Sequence, residues 1–194
     1  MKPRIPLVHS QVYHLYNYGI NRMNIFYEAR NYPYFLRLLR RHTSPIADLL
    51  AYCLLPNHFH LLVRIKEWQE LPQEIQTGKI KLHHPFSHCF NAYSKSINNA
   101  YNRSGKLLNE NVKRQLVDTE EYLKRALYYI HANPQKHGLV RDFREYQYSS
   151  YQLFESGDGT WLDRESVISL LGSREAFLQY HADYHSFLEE MNEE

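Results

Sequence analysis

The chain has 194 residues and a formal net charge of +2, which is enough length for one domain with a buried core. The charge is uneven: residues 1–141 carry 20 Lys/Arg and 9 Asp/Glu, a net of +11, whereas residues 142–194 carry 3 and 12, a net of −9. No apolar run approaches the ~18–20 residues of a membrane span, and the first ten residues lack the apolar core of a secretory signal, so no membrane association is expected.

Composition adds two indications. Cys53 and Cys89 lie in apolar surroundings without CxxC spacing, which predicts reduced thiols in a cytoplasmic protein and argues against a disulfide or a zinc site. A basic body followed by an acidic tail is typical of domains that bind a polyanion such as nucleic acid. The 17 tyrosines and 12 histidines agree with such a surface, because aromatic rings stack on bases.

The first part of the chain predicts a strand, a helix and a strand pair. Residues 12–18 alternate as a strand, and residues 31–42 place apolar side chains at helical spacing opposite arginines. Residues 48–55 and 58–65 are rich in β-formers and flank a Pro-Asn turn. Residues 67–81 are polar and predict a short helix or a loop.

The second part predicts two helices with a strand between them. A helix is expected over 85–101 and a strand over 107–117. Asp118 with Glu121 three residues later forms a pattern like a capping box, which predicts a helix that ends at Asn133 before proline. The order β-α-β-β-α-β-α predicts an α+β fold with a single antiparallel sheet and helices packed on one face, followed by an acidic helical extension.

The stretch LLPNHFHLLV places two histidines in an apolar run. Side chains alternate along a strand, so His58 and His60 project from one face and Phe59 from the other. Two imidazoles within about 7 Å can share a metal ion, given the ~3.3 Å rise per residue. A pair of structural histidines is the alternative that the spacing alone leaves open.

The last predicted helix carries a polar edge. Tyr122, Ala126, Tyr129 and Asn133 form one stripe beside an apolar stripe that would pack on the sheet. This edge can present a phenol and an amide towards the histidine pair. Tyr128 lies about 100° round the helix and is not expected to share that edge.

Several segments together resemble a known family. PNHFHLLV is similar to the HUH motif (His, hydrophobic, His) of single-tyrosine transposases, and YIHANPQKHGLV resembles the tyrosine segment of their REP-associated branch. YQYSSYQLF and the opening YHLYNYGINRMNIF also resemble segments of that branch, and the resemblance covers roughly residues 10–155. It implies the ferredoxin-like or RRM-like HUH fold. The segment GKLLNENVKRQL departs from the branch in lacking the tryptophan that its members often carry there.

The resemblance also implies roles for individual residues. His58 and His60 match the metal-binding histidines, Asn133 matches the position of a polar third ligand, and Tyr129 matches the nucleophile. The implied metal is Mg²⁺ or Mn²⁺. The implied reaction is cleavage and rejoining of single-stranded or hairpin DNA through a 5′-phosphotyrosine intermediate.

The DNA is expected to contact basic side chains of the same body. The candidates are Arg37, Arg40, Arg41, Lys95, Arg103, Lys106, Lys113, Arg114, Lys124 and Arg125. The expected organisation is an HUH nuclease domain over residues 1–155 and an acidic helical extension over 156–194. The extension could cover the body, contact a second copy in a homodimer, or mimic DNA.

Three other functions remain open from the sequence. One is a DNA hairpin-binding module derived from a transposase, without catalysis. Another is a replication-initiator or relaxase-type nickase, which the short chain without a helicase-like segment disfavours. A metal-dependent hydrolase that uses water is disfavoured because no carboxylate accompanies the histidine pair, and Tyr129 would then have no role.

Overall fold

A computed structural model describes residues 5–157 and 159–193, with side chains as far as residue 186. The described chain forms four strands and seven α-helices. The strands are β1 (Val12–Tyr18), β2 (Ala47–Leu55), β3 (His58–Ile65) and β4 (Lys113–Val117). The helices are α1 (Asn31–Thr43), α2 (Gln73–Gln76), α3 (His84–Ala100), α4 (Glu120–Lys136), α5 (Tyr151–Ser156), α6 (Arg164–Leu171) and α7 (Arg174–Glu193).

The strands form one antiparallel sheet in the order β2-β3-β1-β4. The β2–β3 hairpin turns at the predicted Pro-Asn pair, which leaves β1 to pair with the far side of β3. The open edge of β2 is covered, since the backbone N–H of Leu54 donates to Tyr148 and that of Ser150 donates to Tyr52. The sheet is therefore protected at that edge from pairing with another chain.

One face of the sheet, here called the phenylalanine face, carries Phe59 and is covered by α1 and α3. Phe35 of α1 and Phe90 of α3 each approach the Phe59 ring to 5.1 Å between centroids. All three rings are buried, which gives this layer the dense aromatic packing expected of a core.

The opposite face carries His58 and His60 and is called the histidine face. Helix α4 packs on this side, with Leu127 and Ile130 fully buried. The predicted α+β class with a single antiparallel sheet is confirmed. The helices are distributed over both faces, because the histidine face also carries apolar residues of β2 and β3 that need cover.

Helix α7 packs against α4, and α6 contacts β2 and α7. Phe177 and His181 of α7 are fully buried. The Tyr128 hydroxyl and Nδ1 of His185 share a hydrogen bond of 2.6 Å. Arg64 of β3 forms an ion pair with Asp163, just before α6. The predicted boundary at residue 155 stays a prediction, and these contacts join the segment after it to the sheet and to α4.

Two predicted boundaries of α4 were wrong by a few residues. Thr119, not Asp118, caps the helix, because its extended backbone lets the side chain accept from the N–H of Tyr122 at 3.1 Å. The helix continues past Asn133 to Lys136 with Pro134 inside it. Proline removes one backbone donor, and in the last turn the remaining bonds, such as His137 N–H to Asn133 C=O, close the helix around it.

Further predictions concern strand β4, the two cysteines and membrane-spanning helices. Strand β4 spans five residues rather than the predicted eleven, and the preceding Leu108 makes only an isolated bridge with Gly19. Cys53 and Cys89 are buried free thiols. Among the described residues, no helix combines the length and apolar character that a membrane crossing requires.

Candidate active site

Two neighbouring strands present a row of rings on the histidine face. The register pairs Tyr16 of β1 with His60 of β3, and Tyr18 with His58. The paired rings stack, with centroids 5.6 Å and 4.8 Å apart. His14 continues the row on β1, because it lies two residues before Tyr16 and so shares its face.

His60 is held by a chain of side-chain hydrogen bonds. Its Nδ1 lies 2.8 Å from Nε2 of His14, whose Nδ1 lies 3.2 Å from Oε1 of Gln115. The amide oxygen of Gln115 can only accept, so His14 carries its proton on Nδ1 and offers Nε2 as an acceptor. His60 then donates from Nδ1, which leaves the lone pair of its Nε2 directed elsewhere.

His58 is oriented in the same way by its neighbour Asn57. The Asn57 side chain donates from Nδ2 to the carbonyl of Arg22 at 3.3 Å, and its Oδ1 lies 2.6 Å from Nδ1 of His58. His58 therefore donates from Nδ1 and keeps a lone pair on Nε2. Both Nε2 atoms are buried, and neither has a hydrogen-bond partner among the described residues.

Burial keeps these imidazoles neutral. Loss of solvent lowers the pKa of His14 to about 4 and that of His58 to about 4. The pKa of His60 falls well below its usual value, first through burial and then through the neighbouring histidines. A neutral imidazole is the form that binds a metal ion, so the pair is ready to act as ligands at neutral pH.

Helix α4 brings Tyr129 to the histidine row. The Tyr129 ring lies 5.7 Å from the His60 ring and 5.9 Å from the His14 ring, between centroids. The residue is 40% exposed, so part of it is accessible to a large substrate. Partial burial raises the pKa of Tyr129, which keeps the phenol protonated at neutral pH. Tyr128, in contrast, is buried, and its hydroxyl shares a hydrogen bond with His185 of α7.

Asn133 lies on the same side of α4, one turn after Tyr129. Its Nδ2 donates to the backbone carbonyl of Tyr129 at 2.7 Å, whereas its buried Oδ1 has no partner among the described residues. One further turn along, the His137 ring lies 4.8 Å from that of His58. Asn133 is thus between two residues that contact the histidine pair.

The donor set fits a divalent metal ion. Five buried side-chain atoms of the described residues have no hydrogen-bond partner. Three of them are the Nε2 nitrogens of His58 and His60 and the Oδ1 oxygen of Asn133, which are the atoms expected to ligate. Buried polar atoms are normally hydrogen-bonded, so three such orphans on the predicted ligands are unusual. Within the described part of the chain, no cluster of three or more His, Cys, Asp or Glu side chains could hold an ion. A site here therefore needs the amide and non-protein ligands.

Arg22 is a cation at this site that the sequence patterns do not predict. Its guanidinium carbon lies 4.1 Å from the centre of the Tyr18 ring. Burial lowers the pKa values of His58 and His137, and the charge of Arg22 adds to this effect. Arg22 and Asn21 both have left-handed backbones, with φ of 60° and 50°. Such a conformation is uncommon for arginine and marks a turn that is held by its surroundings.

A close backbone approach shapes the same turn. A side-chain carbon on Gly19 would lie 2.0 Å from the carbonyl oxygen of Met23, so no other residue fits at this position without movement. The N–H of Gly19 donates to the carbonyl of Asn57 at 2.8 Å, which ties the turn to the β2–β3 hairpin. These contacts bring Arg22 beside the histidine pair.

The structure separates the ten basic residues that the sequence proposes for DNA contact. Arg37, Arg40, Arg41 and Lys95 lie on α1 and α3, which cover the phenylalanine face, and Arg114 points to that face from β4. Arg103 bonds Asn98, Lys106 pairs with Glu110, and Lys124 is partly buried on α4. Lys113 pairs with Tyr16 in the sheet and so shares the histidine face, where Arg125 lines a groove beside Tyr129.

Further residues at the site are also not among those that the sequence predicts. Strand alternation places His14 with Tyr16 and Tyr18 on one face, and this pattern is visible in the sequence VYHLYNY. The strand order, which places His14 next to His60, is not visible in the sequence. The Nζ of Lys136 lies 5.2 Å from the centre of the Tyr129 ring. Lys136 has this position because α4 continues past Pro134, which the sequence disfavours.

Comparison with known proteins shows similarity to a solved structure. No family model matches the chain, and no curated protein matches it by sequence. Among solved structures, a REP-associated tyrosine transposase bound to a REP hairpin is similar, with a TM-score of 0.62 and 15% identity. The alignment covers 84% of this chain and 94% of that one. At this identity the likeness shows a shared fold.

Proposed function

We propose that the protein is a DNA strand transferase that cleaves and rejoins single-stranded or hairpin DNA through Tyr129 with a divalent metal ion. One observation supports it above all. Tyr129 lies beside a histidine pair whose Nε2 atoms, with Oδ1 of Asn133, are buried without partners. The shared fold with a hairpin-bound tyrosine transposase supports the same proposal.

The proposed reaction exchanges one phosphodiester bond for another. The Tyr129 oxygen attacks the phosphorus and loses its proton, and the bond from phosphorus to the 3′ oxygen breaks. The products are a 5′-phosphotyrosine and a 3′ hydroxyl, which takes up a proton. The energy of the ester is retained, so a second 3′ hydroxyl can reverse the step and join a new strand.

A bound Mg²⁺ or Mn²⁺ would polarise the phosphate under attack. His58, His60 and Asn133 are the residues that would hold it. Two imidazoles and one amide form a nitrogen-rich set for Mg²⁺, so Mn²⁺ is expected to serve at least as well in vitro.

Neighbouring residues would prepare the site. His14 and Asn57 fix the ring orientation of the two histidines by accepting their Nδ1 protons. Arg22 and Lys136 contribute positive charge near the pair and near Tyr129. Both can approach the oxygens of a phosphate, and such charges stabilise the negative charge that develops during attack.

The open position of Tyr129 favours an unpaired strand over duplex. A tyrosine that is 40% exposed beside a ring-lined surface can reach a backbone phosphate if the strand is not covered by its complement. The hairpin bound to the structural neighbour supports a structured single strand as substrate.

Covalent trapping tests the proposal. The protein is incubated with labelled hairpin oligonucleotides and Mn²⁺, and denaturing gels are searched for a slow-migrating adduct. We expect an adduct that needs metal, is lost in Tyr129→Phe and in His58→Ala/His60→Ala, and persists in Tyr128→Phe. Tyr128→Phe is the matched control because its hydroxyl faces α7.

Other outcomes assign another function or nucleophile. Metal-dependent cleavage without an adduct would indicate a hydrolase that uses water. An adduct that survives Tyr129→Phe would identify another nucleophile and overturn the role of Tyr129. Binding of a wide set of hairpins without cleavage or adduct would favour the non-catalytic binding module.

A further inference from the structure

A groove extends from the candidate active site between β1, α4 and α7. It encloses about 610 Å³ and begins at His60. Six tyrosines and one arginine dominate its lining. Tyr128 is buried, and the other six residues are called the tyrosine groove: Tyr16, Tyr18, Tyr122, Tyr129, Tyr184 and Arg125. The volume lies within the ~300–1,000 Å³ of sites that bind small molecules, which is enough for one or two nucleobases.

These tyrosines differ from the tyrosines of the core. Tyr13 and Tyr93 are almost fully buried, and their hydroxyls donate to backbone carbonyls at 3.0 Å and 2.8 Å. Tyr16, Tyr18 and Tyr122 are only partly buried, and within the described chain their hydroxyls have no hydrogen-bond partner. Packing alone does not account for several such rings along one groove.

We propose that the tyrosine groove binds an unpaired nucleobase next to the cleaved phosphodiester. The inference rests on the proposed function and specifies where the strand lies. Because Tyr129 belongs both to the groove and to the reactive centre, a base held here would place an adjoining phosphate near the Tyr129 hydroxyl. Binding of the base would thus set the position of the strand.

The chemistry of the lining favours a base over a phosphate. Aromatic rings and one guanidinium make up most of the lining, and stacking on aromatic rings tolerates any base because every base has a π-face. Arg125 can contact a backbone phosphate, since its ion pair with Glu121 is exposed and long at 3.9 Å. Tyr184 brings helix α7 into the same surface.

Equilibrium binding in EDTA tests this without cleavage. Two fluorescent probes of equal charge are compared by anisotropy: an eight-residue oligothymidylate and an eight-residue deoxyribose-phosphate strand without bases. We expect the wild-type protein to bind the base-containing probe roughly 5- to 100-fold more tightly. Tyr122→Ala should remove most of that preference, whereas Tyr122→Phe should retain it.

Two further variants complete the test. Tyr184 lines the groove from α7, so Tyr184→Ala should also reduce the preference for the base-containing probe. This second variant keeps the test decisive if circular dichroism shows that Tyr122→Ala does not fold. Tyr27→Ala removes an exposed tyrosine outside the groove, stacked on Tyr101, and should leave the preference unchanged. The proposal would be overturned if both groove variants preferred the base-containing probe as strongly as the wild type does. It would also be overturned if the wild-type protein bound the two probes with equal affinity.

The result is separable from the proposed function. Loss of the preference in the groove variants without any covalent adduct in the trapping experiment would support the groove and reject strand transfer. An adduct that forms normally, together with equal affinity for the two probes, would support strand transfer and reject the groove.

Discussion

The identity of one hydrogen-bond acceptor decides which nitrogen of His60 faces the candidate site. Gln115 offers an oxygen to His14, so His14 offers Nε2 to the Nδ1–H of His60. Such outer partners orient ligating histidines, and changing them typically costs 10- to 100-fold in metal affinity. His14 is thus a positioning residue.

Replacing His14 tests this role. His14→Phe keeps the ring but removes the acceptor, so we expect Mn²⁺ affinity to fall roughly 10- to 100-fold. His14→Gln retains an oxygen acceptor and should recover part of the loss. The measurement is a titration of Mn²⁺ followed by the electron paramagnetic resonance signal of the free ion, which does not depend on activity.

The control is His9→Phe, at an exposed position near the N-terminus. It should bind Mn²⁺ as the wild type does. If His14→Phe bound Mn²⁺ with wild-type affinity while His58→Ala/His60→Ala did not, the histidine pair would remain the ligand set and the role of His14 would be refuted.

At the scale of elements, local patterns predicted most of the structure. Alternation and the turn at Pro56-Asn57 placed β2 and β3 correctly and set His58 and His60 on one face. The order of strands and the face chosen by α4 depend on tertiary packing, which local pattern does not contain. The same limit explains Pro134: its local bias ends a helix, whereas the observed helix continues to Lys136.

The contact between α4 and α7 depends on two buried histidines. His181 donates from Nδ1 to the carbonyl of Phe177, and its Nε2 lies 2.9 Å from Nδ1 of His131. Nε2 of His131 lies 2.8 Å from the hydroxyl of Ser150, so the chain is satisfied when both rings are neutral. Burial lowers the pKa of His181 to about 4.

This pKa shift predicts acid sensitivity of folding. In the unfolded chain His181 takes up a proton near pH 6.5, whereas in the folded chain it does so only near pH 4. Neutral His181 therefore stabilises the fold above pH 6.5. That contribution is lost as the pH falls, at about 1.4 kcal/mol per pH unit for one such histidine. We expect the free energy of unfolding, measured with urea, to decline between pH 6.5 and 4.

His181→Phe provides the comparison. It keeps an aromatic ring but leaves Nδ1–H of His131 without its acceptor, so it should be less stable than the wild type at pH 7. The difference in unfolding free energy should narrow as the pH is lowered, since only the wild type loses the His181 contribution. A difference that stayed constant from pH 7 to pH 4.5 would contradict the assignment.

At the scale of the molecule, the site is assembled within one chain. The His60 and Tyr129 rings of the same chain lie 5.7 Å apart, so no exchange of α4 between subunits is needed to bring them together. A homodimer stays a prediction from the family resemblance. His58, His60, Tyr129 and Asn133 stay the site residues that the sequence predicts, whereas Arg22 and His14 join them only through the turn at Gly19 and the β1–β3 register.

The basic side chains are divided between the two faces of the sheet. DNA that reaches Tyr129 must approach the histidine face, where Lys113 and Arg125 lie, whereas Arg37 and Lys95 belong to helices on the phenylalanine face. We expect Lys113→Ala and Arg125→Ala each to weaken binding of a single-stranded oligonucleotide. Each lost phosphate contact should reduce the slope of log affinity against log salt by about 0.7.

Arg37→Ala and Lys95→Ala are the matched controls, because each also removes one exposed positive charge. If long-range attraction by the basic body dominated, all four variants would weaken binding alike. Contacts on the histidine face predict a change in slope for Lys113→Ala and Arg125→Ala only. Equal salt slopes for all four variants would place the strand elsewhere, and a larger effect at Arg37 and Lys95 would assign binding to the phenylalanine face.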